Sequence, residues 1–525
     1  MYNFGKLPAV LEDLKSAGLK YNIPYINRGM EKEGLRQTFD GQLAKSRHPQ
    51  ALGSALTNKY ITTDYSEALI EFITPIFKET EDLQNFLLNL HAFARQNLPE
   101  GESFWCHSMP CILTAEKDIP IAEYGTSNIG LMKHVYRHGL AWRYTRRMQT
   151  IAGIHFNFSY PEELWEFLHN FEESTLSLKD YKSVKYFDLI RNFQRYVWLL
   201  FYYTGSSPAL CNSFLSDQKH NLDNFDDCTA YLPYATSLRM SDLGYTNNEQ
   251  QQLKVSFNSI EEYTESLSKA IKTPSSDFTK IGIKVDGKYR QLNDSILQIE
   301  NEFYSIIRPK RTTNSGEKPT LALQKRGVEY IEIRMLDINP FEPTGISDTQ
   351  IHLLDIMMLS CLLHPSPAIN DNEFEIIQKN QQKAILNGRE PDLKIDSQNG
   401  SNDFLSLAQS CLDNMQSVAD FLDENFNVNN YSEAIEHAKI LLKDSALTPS
   451  GKVLNEMSKG TCSYYPFARK ISADHNNTFL KKDIHPDLLN EFKQEASRSL
   501  TSQKELEEFE TLSFEQFLEN YFNQT

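Results

Sequence analysis

Residues 150–160, "TIAGIHFNFSY", alternate apolar and polar side chains more cleanly than any other stretch of the chain. A period of two belongs to a β-strand, because successive side chains leave an extended backbone on opposite faces. Ile154, Phe156 and Phe158 fall on one face, and His155, Asn157 and Ser159 on the other. Such a strand fits only a sheet with one face against a core, and its second face is here free to carry chemistry.

The same design recurs. In "VEYIEIRMLDINPF", residues 328–341, Ile331, Ile333 and Met335 share one face, while Glu332 and Arg334 share the other. That pair reads either as a strand-face ion pair or as a metal ligand beside a phosphate-binding arginine, whose planar fork suits phosphate oxygens. In "NRGMEKEGLR", residues 27–36, an extended backbone points Glu31 and Glu33 the same way, with Lys32 opposite and unable to neutralise them. In "TDYSEALIEFITP", residues 63–75, Glu67 and Glu71 share a face in a strand or a helix, and Asp64 joins them through a helical turn or a loop. Glutamate within "ALIEFI" is unusual, since burying an unpaired charge is costly.

If these faces converge, Glu31, Glu33, Glu67, Glu71, Glu332 and His155 surround one cavity that repels itself without cations. Hard carboxylate oxygens select Mg²⁺ or Mn²⁺, and a neutral imidazole is a natural further ligand. Neither a Walker-type loop nor a dinucleotide fingerprint occurs, and "GTSNIG", residues 125–130, is only a weak phosphate loop. A nucleotide would therefore be held by metals and by the basic run "YSIIRPKR", residues 304–311, with Arg308, Lys310 and Arg311; a solvated basic turn is the plainer alternative.

Composition narrows the class. With 40% hydrophobic and 11% aromatic residues over 525 positions, the chain can bury a large core in one elaborate domain or two. A formal net charge of −17 argues against a general nucleic-acid binder but leaves room for anionic substrates held by local arginines. Seven scattered cysteines without a C-x-x-C pair suggest neither a zinc site nor a disulfide framework. The start "MYNFGKLPAVLEDLK" has no signal-peptide pattern, and the most apolar runs are too short to span a membrane. A reduced, soluble, cytoplasmic protein with no membrane partner is expected.

Leu83, Phe86, Leu87, Leu90 and Phe93 recur at helical spacing over residues 81–97, and residues 184–203 form a second apolar helix candidate. Strand candidates fall between helices without regular β-α-β alternation, which predicts an α+β fold with a largely antiparallel sheet. Beyond about residue 370 the chain turns polar and then amphipathic. Residues 1–370 are expected to form a catalytic body, with 371–525 a helical region docked on it.

"NRGMEKEGLR", "HPQALGSALTNKYITTDYSEALIEFITP", "YGTSNIG", "MQTIAGIHFNFS", "LPYATSLRMSDLGYTN", "AIKTPS", "LQIENEFYSIIRPKR" and "GVEYIEIRMLDINPF" together resemble the glutamate–cysteine ligases of proteobacteria, almost without interruption from about residue 22 to 345. The resemblance implies a glutamine-synthetase-like fold, a curved antiparallel sheet backed by helices around a funnel-shaped site. It implies an ATP-dependent joining of the γ-carboxylate of L-glutamate to the amine of L-cysteine through γ-glutamyl phosphate, the first step of glutathione synthesis, by a monomer. It places metal ligands at Glu31, Glu33, Asp64, Glu71, His155 and Glu332, with Glu67 close by, and sets Arg334 against the transferred phosphoryl group. The amino-acid pocket it implies comprises Tyr65, Tyr136, Leu140, Gln149, Ile151, Arg239, Tyr245 and Tyr304. The residues themselves leave three rivals open: a γ-glutamyl ligase acting on another amine, a metal-dependent phosphohydrolase and a non-catalytic sensor of ATP or amino acids.

Overall fold

Every pairing in the central sheet is antiparallel. The computed structural model describes residues 3–215, 219–243, 253–459 and 463–524. The sheet contains β1 (Asn27–Thr38), β2 (Ile61–Thr63), β3 (Leu69–Ile73), β4 (Glu102–Trp105), β5 (Gly153–Ser159), β6 (Ile307–Lys310) and β7 (Tyr330–Asp337). Its order is β6-β7-β5-β1-β3-β2, with β4 paired to the far end of β1, so the sheet stays open. The alternation predicts the buried face correctly: Ile154, Phe156, Phe158, Ile331, Ile333 and Met335 are all at most 2% exposed.

The core face of β1 is less ordinary, because it carries three basic residues. Arg28 pairs with buried Asp355 at 2.7 Å, Lys32 reaches His91 Nε2 at 2.7 Å, and Arg36 pairs with Glu102. The two arginines each have a carboxylate partner, the condition under which interior charge is tolerated, whereas Lys32 meets only an imidazole and is lowered by burial to about 8. Asp355, the one acid in the apolar run "IHLLDIMMLSCLL", thus belongs to the core.

The helices that bear on the site or the core include α1 (Thr80–Gln96), α2 (Asn128–Tyr144), α3 (Leu178–Thr204), α4 (Asp348–Leu363), α5 (Phe404–Phe426), α6 (Tyr464–Lys481), α7 (Pro486–Glu508) and α8 (Phe514–Phe522). The expected face of α1 is buried at Leu83, Phe86, Leu87, Leu90 and Phe93. The second predicted helix lies within α3, which runs 27 residues and is buried along most of its length. One hydrophobic cluster extends from Phe4 to Phe492 and includes Phe404, Met415 and Phe479, so residues beyond 370 share the core of the sheet. Among the described residues, no helix is long and apolar enough to cross a membrane.

Candidate active site

Register brings the polar faces together. Glu31 on β1 lies directly opposite His155 on β5, and Glu33 opposite Glu71 on β3. Glu332 on β7 lies opposite Asn157 on β5. Glu31 Oε2 is 3.1 Å from His155 Nδ1, and Glu31 Oε1 accepts from Asn157 Nδ2 at 3.0 Å. Glu332 accepts from Lys310 Nζ at 2.9 Å and from Arg334 Nη1 at 3.0 Å. Arg334 Nη1 is also 3.4 Å from His155 Nδ1.

The register of β7 shifts between Ile333 and Leu336, so Arg334 and Met335 together occupy the place of one residue. Such a bulge re-aims side chains. Here it lets Arg334 reach the carboxylates while Met335 stays 1% exposed in the core.

Glu31, His155 and Glu332 bring ligand atoms within 4.8 Å of one another, so three strands meet at one point. Burial is the largest influence on each. It pushes Glu332 upward, but Lys310, Arg334, His155 and Arg308 overcome it and hold the carboxyl well below its usual range. Burial and nearby Arg334 lower His155, which keeps the imidazole neutral and able to ligate. Glu33 is pushed up to about 8, first by burial and then by Asp64, although it accepts from the Gly153 amide at 2.6 Å. Glu71 is raised well above its usual range by burial and by Glu31, Asp64 and Glu33. Crowded, partly protonated carboxylates beside a neutral imidazole form a donor set that suits a hard divalent cation.

A cavity opens beside this cluster. Glu33, Asp64, His155 and Arg334 line its ionic side, and Tyr65, Tyr136, Leu140, Gln149, Arg239 and Tyr304 form its other walls. A second cavity shares Asn301 with the first. It combines Arg308, Lys310 and Arg311 with the apolar surfaces of Tyr263, Leu267, Leu323 and Tyr330.

Some expected residues fall elsewhere. The structure does not bring Glu67 into the carboxylate group: its oxygens accept the His48 amide at 2.6 Å and the Glu123 amide at 2.8 Å, which ties two loops together. Ile151 is fully buried behind the wall and does not line the cavity. Tyr245 lies outside the described residues. Arg308 lines the second cavity, but its guanidinium also donates to the backbone carbonyls of Asn301 and Phe303.

Other contributors were not singled out from the sequence. Asp337 sits 3.8 Å from Arg239 and accepts from Ser206, Ser207 and Ser237, a polar nest drawn from three separate segments. A Cβ at Gly153 would lie 2.0 Å from Arg239 Nη2, so any larger residue there would displace the guanidinium that crosses β5. Helix α2 adds Arg137 and Tyr144 to the lining beside Tyr136 and Leu140. The spacing of 136, 137, 140 and 144 is one helical face, a signal present in the sequence.

The model of the family described as glutamate-cysteine ligase matches residues 11–384. The chain belongs to the glutamate–cysteine ligase family. It is an enzyme of that ligase class, and the family's antiparallel architecture is the one described above. The glutamate–cysteine ligase of Alcanivorax borkumensis is 46% identical over 515 residues, covering 97% of this chain and 98% of its own. That of Shewanella oneidensis is 46% identical over 498 residues, covering 94% and 95%. The crystal structure of the Francisella tularensis glutamate–cysteine ligase in complex with AMP superposes with a TM-score of 0.89 at 34% identity, covering 95% of this chain and 97% of that one.

Proposed function

We propose that this ligase joins the γ-carboxylate of L-glutamate to the amine of L-cysteine, converting ATP to ADP and phosphate and making the dipeptide that begins glutathione synthesis. The observation that carries the proposal is the meeting of Glu31, His155 and Glu332 where a tyrosine-walled cavity adjoins a basic one. A carboxylate resists nucleophiles because it is negatively charged and has no leaving group. Phosphorylation removes both obstacles. The glutamate oxygen takes the γ-phosphoryl group and ADP departs; the cysteine nitrogen then bonds to the acyl carbon, phosphate leaves, and a wall carboxylate takes the amine's proton.

Glu31, His155 and Glu332, with Glu33, Asp64 and Glu71 beside them, would hold Mg²⁺ or Mn²⁺, which supplies neutralisation of the triphosphate charge. Arg334 adds a fixed positive charge at the position of transfer. Lys310 and Arg311 face the phosphates from the second cavity, whose apolar walls suit a purine. Arg239, seated by Asp337, orients a substrate carboxylate through its fork, with Tyr304 alongside. The enzyme is taken to act as a monomer in the cytoplasm. The direct test is phosphate release from ATP with glutamate present, comparing cysteine with other amines. Release that needs cysteine is expected; equal release with unrelated amines, or without glutamate, would overturn the assignment.

A further inference from the structure

We infer that the last two helices, α7 and α8, act as a strap that positions the amino-acid wall of the active site, with Glu510 and Leu518 as positioning residues. The inference rests on the ligase assignment for its kinetic readout but on independent geometry for its substance.

Helix α2 turns its inner face, Tyr136, Arg137, Leu140 and Tyr144, toward the cavity. Its start is held from outside by the end of the chain. Glu507 Oε1 accepts the Thr126 amide at 2.9 Å, and Glu510 Oε2 accepts the Asn128 amide at 2.8 Å. The Asn128 side chain in turn donates to the Leu512 carbonyl at 2.9 Å. Gly125, at φ +79°, is so close that a Cβ there would lie 2.0 Å from Glu507 Oε1. Carboxylates at the first turn of a helix satisfy amides that have no partner inside it, so they fix its entry angle.

Helix α8 then packs against the outer face of α2. Leu518 and Tyr521 form a separate hydrophobic cluster with Met132 and Val135, and Tyr136 packs against it while also lining the cavity. Tyr136 therefore links the cluster that holds the strap to the substrate space. Beyond α8 the chain crosses to the second cavity. Lys318 Nζ donates to the Phe522 carbonyl at 2.8 Å, and Gln524 Nε2 donates to the Gly316 carbonyl at 2.7 Å. The neighbouring Pro319 and Thr320 line the basic cavity. The strap thus spans the walls of both pockets, and its placement sets their separation.

The test uses the full-length protein with Glu510→Ala, Glu510→Gln and Leu518→Ala, measuring kcat, KM for each substrate, thermal midpoint and hydrogen exchange over residues 128–144. For Glu510→Ala and Leu518→Ala we expect KM for the amino acids to rise about tenfold with kcat within about threefold, since small misplacement of a binding wall is costly. Glu510→Gln keeps an acceptor for the Asn128 amide and should restore near-normal KM. Exchange over 128–144 should quicken in the two alanine variants. Unchanged amino-acid KM and unchanged exchange would overturn the strap, even if the thermal midpoint fell. Wild-type protein without glutamate-dependent phosphate release would instead sink the ligase assignment, and exchange alone would then decide the strap.

Discussion

His155 Nδ1 lies 3.1 Å from Glu31 Oε2 across the β1–β5 pair, with Arg334 Nη1 only 3.4 Å from the same nitrogen. A neutral ring nitrogen between a carboxylate and a guanidinium defines the centre of the site. Glu31→Gln keeps the shape but removes the charge that faces the proposed cation. We expect turnover to fall at least about a hundredfold, with half-saturation moved to higher Mg²⁺. Phosphate release across a Mg²⁺ titration checks this, and a near-normal rate would refute the site.

Arg334 shares the polar face of β7 with Glu332 and sits in the bulge opposite His155. Arg334→Ala should also cost at least about a hundredfold in kcat, because it removes a charge aimed at the transferred group. Arg334→Lys should rescue little, since an ammonium is a point charge without the planar fork that suits phosphate oxygens. Single-turnover rates of the two variants separate transfer from binding.

Glu67 and Glu71 are separated by four residues in sequence and by role in the fold. Both oxygens of Glu67 accept backbone amides, so Glu67→Gln sets an N–H against one of them. Stability should drop by about 1–3 kcal/mol with Mg²⁺ half-saturation unchanged. Glu71→Gln should do the reverse, and paired denaturation and Mg²⁺ titrations tell them apart.

Cys106 is buried and pushed up to about 11 by burial, and Cys211 is also buried. Among the described residues, no cysteine lines either cavity. Replacing either by serine or alanine should leave kcat/KM within about threefold of wild type, because thiolate chemistry has no place in acyl-phosphate transfer. Activity loss on the scale of Glu31→Gln would contradict this.

Acid should weaken the fold through its interior histidines. Burial lowers His107 from 6.5 to about 3, and His107 Nε2 faces the Ala468 carbonyl of α6 at 3.1 Å. His48 is likewise lowered to about 3 by burial and by Arg36. Below pH 6.5 the unfolded chain takes up these protons and the folded chain does not. Stability is therefore full above about 6.5 and falls as pH drops toward 3. Denaturant midpoints across that window should show the slope, and His107→Gln should reduce it.

The alternation of β5, β7 and β1 by itself determined strands with one apolar face and ionisable residues on the other, because side-chain direction in a strand is a local property. Helical spacing likewise marked the buried face of α1, and composition marked the basic run that begins in β6. Only tertiary structure decided which carboxylates meet. Glu67 and Glu71 have equivalent local patterns, yet strand pairing sends Glu71 opposite Glu33 and loop packing turns Glu67 toward backbone amides. The bulge at Arg334, the seat of Arg239 on Asp337 across Gly153, and the strap from α7 and α8 to α2 likewise depend on contacts between distant segments. Periodicity sets the face on which a side chain emerges, while register, crossing and packing set what stands in front of it, and catalysis needs the second as much as the first.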